Sequence, residues 1–107
     1  MLPFPEYDHL DTLGLAELVR TQQVTPLELV EAAIARIEAR NPQINAVIHT
    51  MFNQARQTAQ GDLPDGPLRG VPFLVKDLLA MVAGAPLASG TRLLKAWTPP
   101  ILSLIHI

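Results

Sequence analysis

The chain has 107 residues, of which 49% are hydrophobic and 17% are charged, with a net charge of −2 and no cysteine. This length fits one small domain and excludes a multidomain architecture. The weak negative charge gives no signature of nucleic-acid or anionic-membrane binding, and the lack of cysteine excludes disulfides, a thiol nucleophile and a zinc–thiolate site. The charged fraction is below the roughly 25% usual in soluble domains, which fits either a well-buried small domain or a piece of a larger protein.

The chain also lacks targeting and membrane signals. Residues 1–11 carry acids and prolines rather than a basic segment followed by an apolar run, so they do not predict a secretory signal. No stretch reaches the about 18 apolar residues of a membrane span. The three histidines, His9, His49 and His106, lie too far apart in sequence for a metal-binding spacing. We therefore expect a cytoplasmic protein.

The N-terminal region predicts an irregular segment and then a helix. Pro3 and Pro5 lie within residues 1–11 and disfavour a helix there. Thr12 is the predicted N-cap of a helix over about 13–22, because its hydroxyl can accept a hydrogen bond from a first-turn amide. Gly14 weakens this helix.

The second helix has the clearest signal in the sequence. Residues 25–28, TPLE, form a capping box with proline at the first helical position. Apolar residues then recur at three- and four-residue spacing, namely Leu27, Val30, Ile34 and Ile37. Asn41 and Pro42 predict its end. Its predicted charged set comprises Glu28, Glu31, Arg36, Glu38 and Arg40.

Beyond this helix the pattern alternates between apolar segments and loops. Residues 44–48 indicate a short strand, 50–60 a helix, and 61–70 a loop rich in turn-forming residues. Residues 70–79, GVPFLVKDLL, are a mostly apolar run that predicts a buried strand of an α/β sheet. A further turn of helix is predicted to begin within 92–97.

Lys76 is the candidate catalytic residue, because it lies at the carboxyl end of the predicted strand, where α/β sheets place ligand sites. A lysine in a dry site can be held as the neutral amine, which can act as a general base. Local sequence alone more strongly favours a different interpretation, in which Lys76 points to solvent or pairs with Asp77.

The remaining polar candidates favour structural roles. Ser89 lies in ASGT and indicates a turn, while Ser103 and His106 lie in an apolar tail without a third group to form a triad. The loop acids are predicted to be solvated or to cap helices: Asp8, Asp11, Asp62 and Asp65.

Several segments, in order, resemble the N-terminal part of the amidase signature family over residues 7–97. They are LAELVR at 15–20, VTPLELV at 24–30, ARIE at 35–38, NP at 41–42 with INAV at 44–47, and GPLRGVPFLVKD at 66–77. The last segment is the most specific, and the order and spacing of the set strengthen the resemblance.

The resemblance implies a fold and a mechanism. The fold class would be α/β, with N-terminal helices packed on the first strands of a mixed sheet. The family hydrolyses amide bonds with a Ser–cis-Ser–Lys triad and needs no metal or organic cofactor, so Lys76 would be the base. The two serines and the oxyanion-hole amides belong to a downstream Gly/Ser-rich segment that has no counterpart here.

The resemblance also divides the chain. Residues 1–101 would be the N-terminal part of an amidase domain, whereas 102–107 look like the translation of a transposon-end sequencing adapter. We therefore expect a truncated reading frame whose product alone is inactive and poorly folded, because an unpaired interior strand exposes apolar surface and hydrogen-bonding edges.

The full-length parent would act on a small-molecule amide, without nucleic-acid or membrane partners. The stretch looks most like general bacterial amidases and cyclic-amide hydrolases of nylon-type oligomers, and less like the amidase-type component of glutamyl-tRNA amidotransferase. A homodimer is the candidate oligomeric state of the parent. A different class of function also stays open, a non-catalytic helical interaction module.

Overall fold

A computed structural model describes residues 2–77, 86–93 and 97–98. The chain divides into two compact units, Met1–Pro72 and Phe73–Ile107. The first unit contains a 3-10 helix, Pro5–His9, followed by α1, Thr12–Arg20, α2, Pro26–Ile44, and α3, Phe52–Gln60. Within the described residues, no helix is long and apolar enough to cross a membrane.

The start of α1 differs by one residue from the prediction. Asp11, not Thr12, is the N-cap, and its carboxylate accepts a hydrogen bond of 2.7 Å from the Gly14 backbone amide. An ionised carboxylate facing a helix N-terminus is favoured by the exposed amides and by the helix dipole. The helix ends at Arg20, two residues before the predicted boundary.

The capping box at the start of α2 is confirmed. The Glu28 amide donates to Thr25 Oγ1 and the Thr25 amide donates to Glu28 Oε2, each over 3.1 Å. The helix then buries one face in the core of the unit, where α1 also contributes. The buried apolar side chains of the two helices are Leu15, Ala16, Leu29, Val30, Ala32 and Ile34.

The predicted end of α2 at Asn41 and Pro42 is wrong, because the helix includes Pro42 and ends at Ile44. A proline this close to a helix end removes one intrahelical hydrogen bond from the last turns. The exit of the chain is stabilised instead by Asn45, which adopts left-handed backbone angles (φ 47°) and donates its amide to the Asn41 carbonyl over 2.7 Å.

The strand predicted at 44–48 is also wrong, because Ile44 is still helical and 45–48 are irregular. The backbone of Val47 is paired with a side chain instead of a neighbouring strand. Asn41 Nδ2 donates to the Val47 carbonyl and the Val47 amide donates to Asn41 Oδ1, both over 2.8 Å. One amide side chain therefore replaces a step of a β-ladder.

The predicted third helix is confirmed as α3, Phe52–Gln60, which packs against α2. A two-point ion pair joins the two helices. Arg56 Nε donates to Glu31 Oε1 over 2.6 Å, and its Nη2 donates to Glu31 Oε2 over 3.2 Å. The hydrogen bond from Arg56 lowers the pKa of the Glu31 carboxyl.

Arg36 belongs to the predicted charged set of α2, and the structure buries it, with only 6% of the residue exposed. Its guanidinium donates to both carboxylate oxygens of Asp8, over 2.9 and 3.2 Å, and to the carbonyls of Pro3 and Phe4, each over 2.9 Å. The guanidinium carbon also lies 4.7 Å from the centroid of the Tyr7 ring. The N-terminal segment is therefore an ordered strap held by α2, and part of it forms the 3-10 helix.

The buried strand predicted at 70–79 is not formed by residues 70–77, and Leu78 and Leu79 lie outside the described residues. Phe73 and Leu74 are 75% and 70% exposed. A strand needs a neighbour to satisfy its amides and carbonyls, and the described ranges contain no strand that could pair with it. The strand component of the predicted α/β fold is therefore not seen in this part of the chain.

Replacing Arg36 with methionine should destabilise the helical unit by about 2 kcal/mol, because the Asp8 carboxylate and the part-buried carbonyls of Pro3 and Phe4 lose a charged donor. Arg40 provides a matched control. It is 58% exposed and lies 3.6 Å from the same Asp8 carboxylate, so Arg40→Met should leave the stability nearly unchanged. Urea unfolding followed by helical circular dichroism measures both variants, and equal losses would contradict the central role of Arg36.

Candidate functional site

The predicted base, Lys76, lies in an irregular segment of the second unit, and its residue is exposed. The segment follows Gly70, whose φ of +84° is the left-handed conformation that glycine adopts readily. A Cβ on Gly70 would lie 2.9 Å from Val19 Cγ1 and 3.1 Å from Pro26 Cγ, so within the first unit the backbone at Gly70 packs closely on α1 and on the start of α2.

The next residue, Asp77, accepts several hydrogen bonds from the backbone. Its Oδ1 accepts hydrogen bonds from the backbone amides of Ala88, over 2.8 Å, and Ser89, over 3.2 Å. Its Oδ2 accepts a third bond from the amide of Gly90, over 3.3 Å. Three consecutive amides therefore converge on one carboxylate, an arrangement typical of backbone anion-binding nests.

The amides converge because residues 88–91 form a tight turn. The Thr91 amide donates to the Ala88 carbonyl over 2.9 Å, and the two central residues, Ser89 and Gly90, have φ values of 50° and 72°. Positive φ at both central positions is typical of a type I′ turn. The interpretation of Ser89 as a turn residue is confirmed.

The residue before the turn is also fixed in place. Leu87 is buried, and its amide donates to the Trp97 carbonyl over 3.1 Å. The turn is therefore held on one side by this backbone bond and on the other by the carboxylate of Asp77.

The hydrogen bond from Ala88 is the main cause that lowers the pKa of the Asp77 carboxyl, and the bonds from Ser89 and Gly90 lower it further against the opposing effect of desolvation. No ion pair joins Lys76 to Asp77 among the described residues. The predicted alternative of a Lys76–Asp77 pair is therefore not what this structure has.

Three of the four candidate loop acids have structural partners in the described residues, while Asp62 is exposed. Asp11 caps α1, which is one of the two roles predicted for the loop acids. Asp65 pairs with Arg69 over 3.7 Å. Asp8 binds Arg36 rather than solvent alone, and the hydrogen bond from Arg36 lowers the pKa of its carboxyl. Ser103 and His106 lie outside the described residues.

Sequence reasoning considered Asp77 only as a partner for Lys76 and missed its bonds to the turn. A signal existed in the sequence, because Asp77 is followed 12 and 13 residues later by Ser89 and Gly90, a pair able to adopt positive φ. Within the described ranges, no group of three or more acidic, histidine or cysteine side chains could hold a metal ion.

Comparison with protein families gives a match over most of the chain. The family model described as Amidase matches residues 28–105. This range includes Lys76, Asp77 and the turn at 88–91.

Comparison with curated proteins gives relatives of three kinds. The chain is 46% identical over 74 residues to a 6-aminohexanoate-cyclic-dimer hydrolase of Paenarthrobacter ureafaciens, a match that covers 69% of this chain and 15% of the relative. It is 42% identical over 91 residues to a Mycobacterium tuberculosis protein named "Putative amidase AmiC", covering 84% and 18% respectively. It is 36% identical over 93 residues to one of the glutamyl-tRNA(Gln) amidotransferase subunits of Tropheryma whipplei, covering 80% and 18%. The chain thus spans less than a fifth of the length of these relatives.

The bonds between Asp77 and the turn should depend on pH in a defined direction. Because the carboxyl has a lowered pKa in the folded chain, its contribution to stability is fully present above the unfolded value of about 3.9 and is lost as the pH falls through the folded pKa. NMR titration of the Ala88, Ser89 and Gly90 amides should give a common midpoint below about 3.9. A midpoint at or above that value would contradict the contact.

Proposed function

The chain belongs to the amidase family, and on that premise we propose that the full-length protein hydrolyses carboxamide bonds. The observation that carries this proposal is the family match over residues 28–105, supported by relatives named as hydrolase, amidase and amidotransferase. The product would be a carboxylic acid together with ammonia or an amine, and for a cyclic amide the opened amino acid.

The role that we assign to Lys76 is that of the general base. Its position directly after the segment GVPFLV matches the family lysine. The neighbouring Asp77 carboxylate accepts hydrogen bonds from three amides and does not pair with the Lys76 ammonium. A carboxylate paired with the ammonium would stabilise the protonated form and oppose proton release. In the described residues, the Lys76 amine is therefore not paired with the carboxylate of its own neighbour.

In the proposed reaction, the base takes the proton of a nucleophilic serine through a second, bridging serine held by a cis peptide bond. The nucleophilic oxygen bonds to the amide carbonyl carbon, and the carbonyl oxygen takes the negative charge. The C–N bond then breaks as the proton passes back to the leaving nitrogen, which leaves an acyl-enzyme. Water repeats the sequence and releases the acid. Both serines and the donors that stabilise the oxyanion would come from other parts of the full-length protein.

The substrate that we propose is a small linear or cyclic amide. The hydrolase relative, which shares 46% identity with the chain, is named for a cyclic dimer of 6-aminohexanoate. Its higher identity favours a substrate of this chemical class over the glutamyl-tRNA class of the amidotransferase relative, which shares 36%. We further propose that the reaction takes place in the cytoplasm.

Replacing Lys76 with alanine in the full-length protein should lower kcat by about 10²–10⁴-fold, which is the range that a general base contributes. Arg92 provides a control, because it is an exposed cation of the same unit, and Arg92→Ala should keep kcat within about twofold of the wild type. Steady-state amide hydrolysis measures both, and circular dichroism checks folding. A near-normal rate in a folded Lys76→Ala variant would refute the assignment.

A further inference from the structure

We propose that Asp77 is a positioning residue for Lys76, which it fastens through the backbone to the turn at 88–91. This inference rests on the proposed function, because it concerns how the base is held. Asp77 would not touch the substrate or the reacting atoms.

Among the described residues, the donors to the Asp77 carboxylate are backbone amides. Both of its oxygens accept hydrogen bonds, and all three donors are amides of consecutive residues, Ala88, Ser89 and Gly90. Hydrogen bonds to an ionised acceptor are stronger than those between neutral groups. Three such bonds hold the side chain, and with it the Asp77 backbone, in one orientation.

The covalent link between Asp77 and Lys76 passes this restraint to the base. In the described stretch 71–77, the backbone that includes Lys76 forms neither helix nor strand. Fixing the carboxyl side of Lys76 reduces the volume that its flexible side chain can sample. A misplacement of about 1 Å in a reacting group can cost about 100-fold in rate, so a restraint of this kind has a direct catalytic value.

The turn that anchors Asp77 has a fixed shape of its own. Leu87 is buried and bonded to the Trp97 carbonyl, and the turn closes with the Thr91 amide on the Ala88 carbonyl. Gly90 has a φ of +72°, yet a Cβ at this position would meet no atom within 4 Å. Gly90→Ala therefore disfavours the turn through backbone conformation alone, without a clash and without removing a polar group.

The experiment compares Asp77→Ala, Asp77→Asn and Gly90→Ala in the full-length protein. Asp65→Asn is the matched control, because the Asp65 side chain is fully exposed and its partner, Arg69, lies four residues away in the same loop. Active sites are counted from the acyl-enzyme burst with an activated nitrophenyl ester, for which acylation is faster than deacylation. The kcat for each competent site is then measured with a nitroanilide substrate. The acid limb of the pH profile of kcat/KM is measured in parallel.

We expect kcat for each competent site to fall tenfold or more in Asp77→Ala, with KM within twofold of the wild type and a displaced acid limb. In Asp77→Asn, kcat for each competent site should fall less, because the carboxamide keeps one acceptor oxygen while its NH2 group faces the third amide donor. Gly90→Ala should lower kcat in the same direction, and Asp65→Asn should change it by less than twofold. A reduced number of sites with unchanged kcat and pH profile would mean a merely structural role and would overturn the proposal.

Hydrogen exchange separates this inference from the proposed function. The amides of 88–90 should exchange at least tenfold faster in Asp77→Ala than in the wild type or Asp65→Asn, and equal exchange would overturn the inference whatever the activity. A wild-type protein that hydrolyses no amide would overturn the proposed function and the positioning role together. An active wild type with an unimpaired Asp77→Ala variant would overturn the positioning role alone.

Discussion

In several irregular segments of the described chain, charged or amide side chains form the hydrogen bonds to backbone groups that a helix or a strand would otherwise supply. Arg36 donates to the carbonyls of Pro3 and Phe4, and Asp77 accepts from the amides of Ala88, Ser89 and Gly90. Backbone groups withdrawn from water need partners, and in these two places a charged side chain supplies them. Each compact unit therefore has an ionised residue that fixes an irregular segment.

This arrangement has a consequence for the base assigned to Lys76. The aspartate beside Lys76 is engaged by the turn and not by the lysine. The same contacts that stabilise the turn therefore keep the negative charge directed at the amides and restrain the backbone next to the lysine. If Lys76 is the base that we propose, one carboxylate links the stability of the loop to the position of that base.

The sequence was sufficient for features that depend on local chemistry. The capping box at Thr25 and Glu28, a helix at 50–60 (observed at 52–60) and the turn at Ser89 were all predicted, because each depends on residues only a few positions apart. The family resemblance was likewise readable from ordered motifs, and the family match over 28–105 supports it.

The failures involve partners that are distant in sequence or choices between competing local bonds. The burial of Arg36 depends on Asp8, 28 residues away, and no helical periodicity reports such a partner. The strand predicted at 44–48 was replaced by the bonds of Asn41 to Val47, since side chains of this type compete with β-ladders. The apolar run at 70–77 indicates burial, but a strand also requires a pairing segment, which periodicity cannot supply.

The most direct measurement is an experimental structure of the full-length protein, in which the surroundings of the Lys76 amine can be seen. If Lys76 is the base of an amide hydrolase, its Nζ should lie within about 2.6–3.2 Å of a serine oxygen, while the Asp77 carboxylate still accepts the amides of residues 88–90. A Lys76 amine that is solvated or paired with a carboxylate, with no serine in reach, would contradict the assignment.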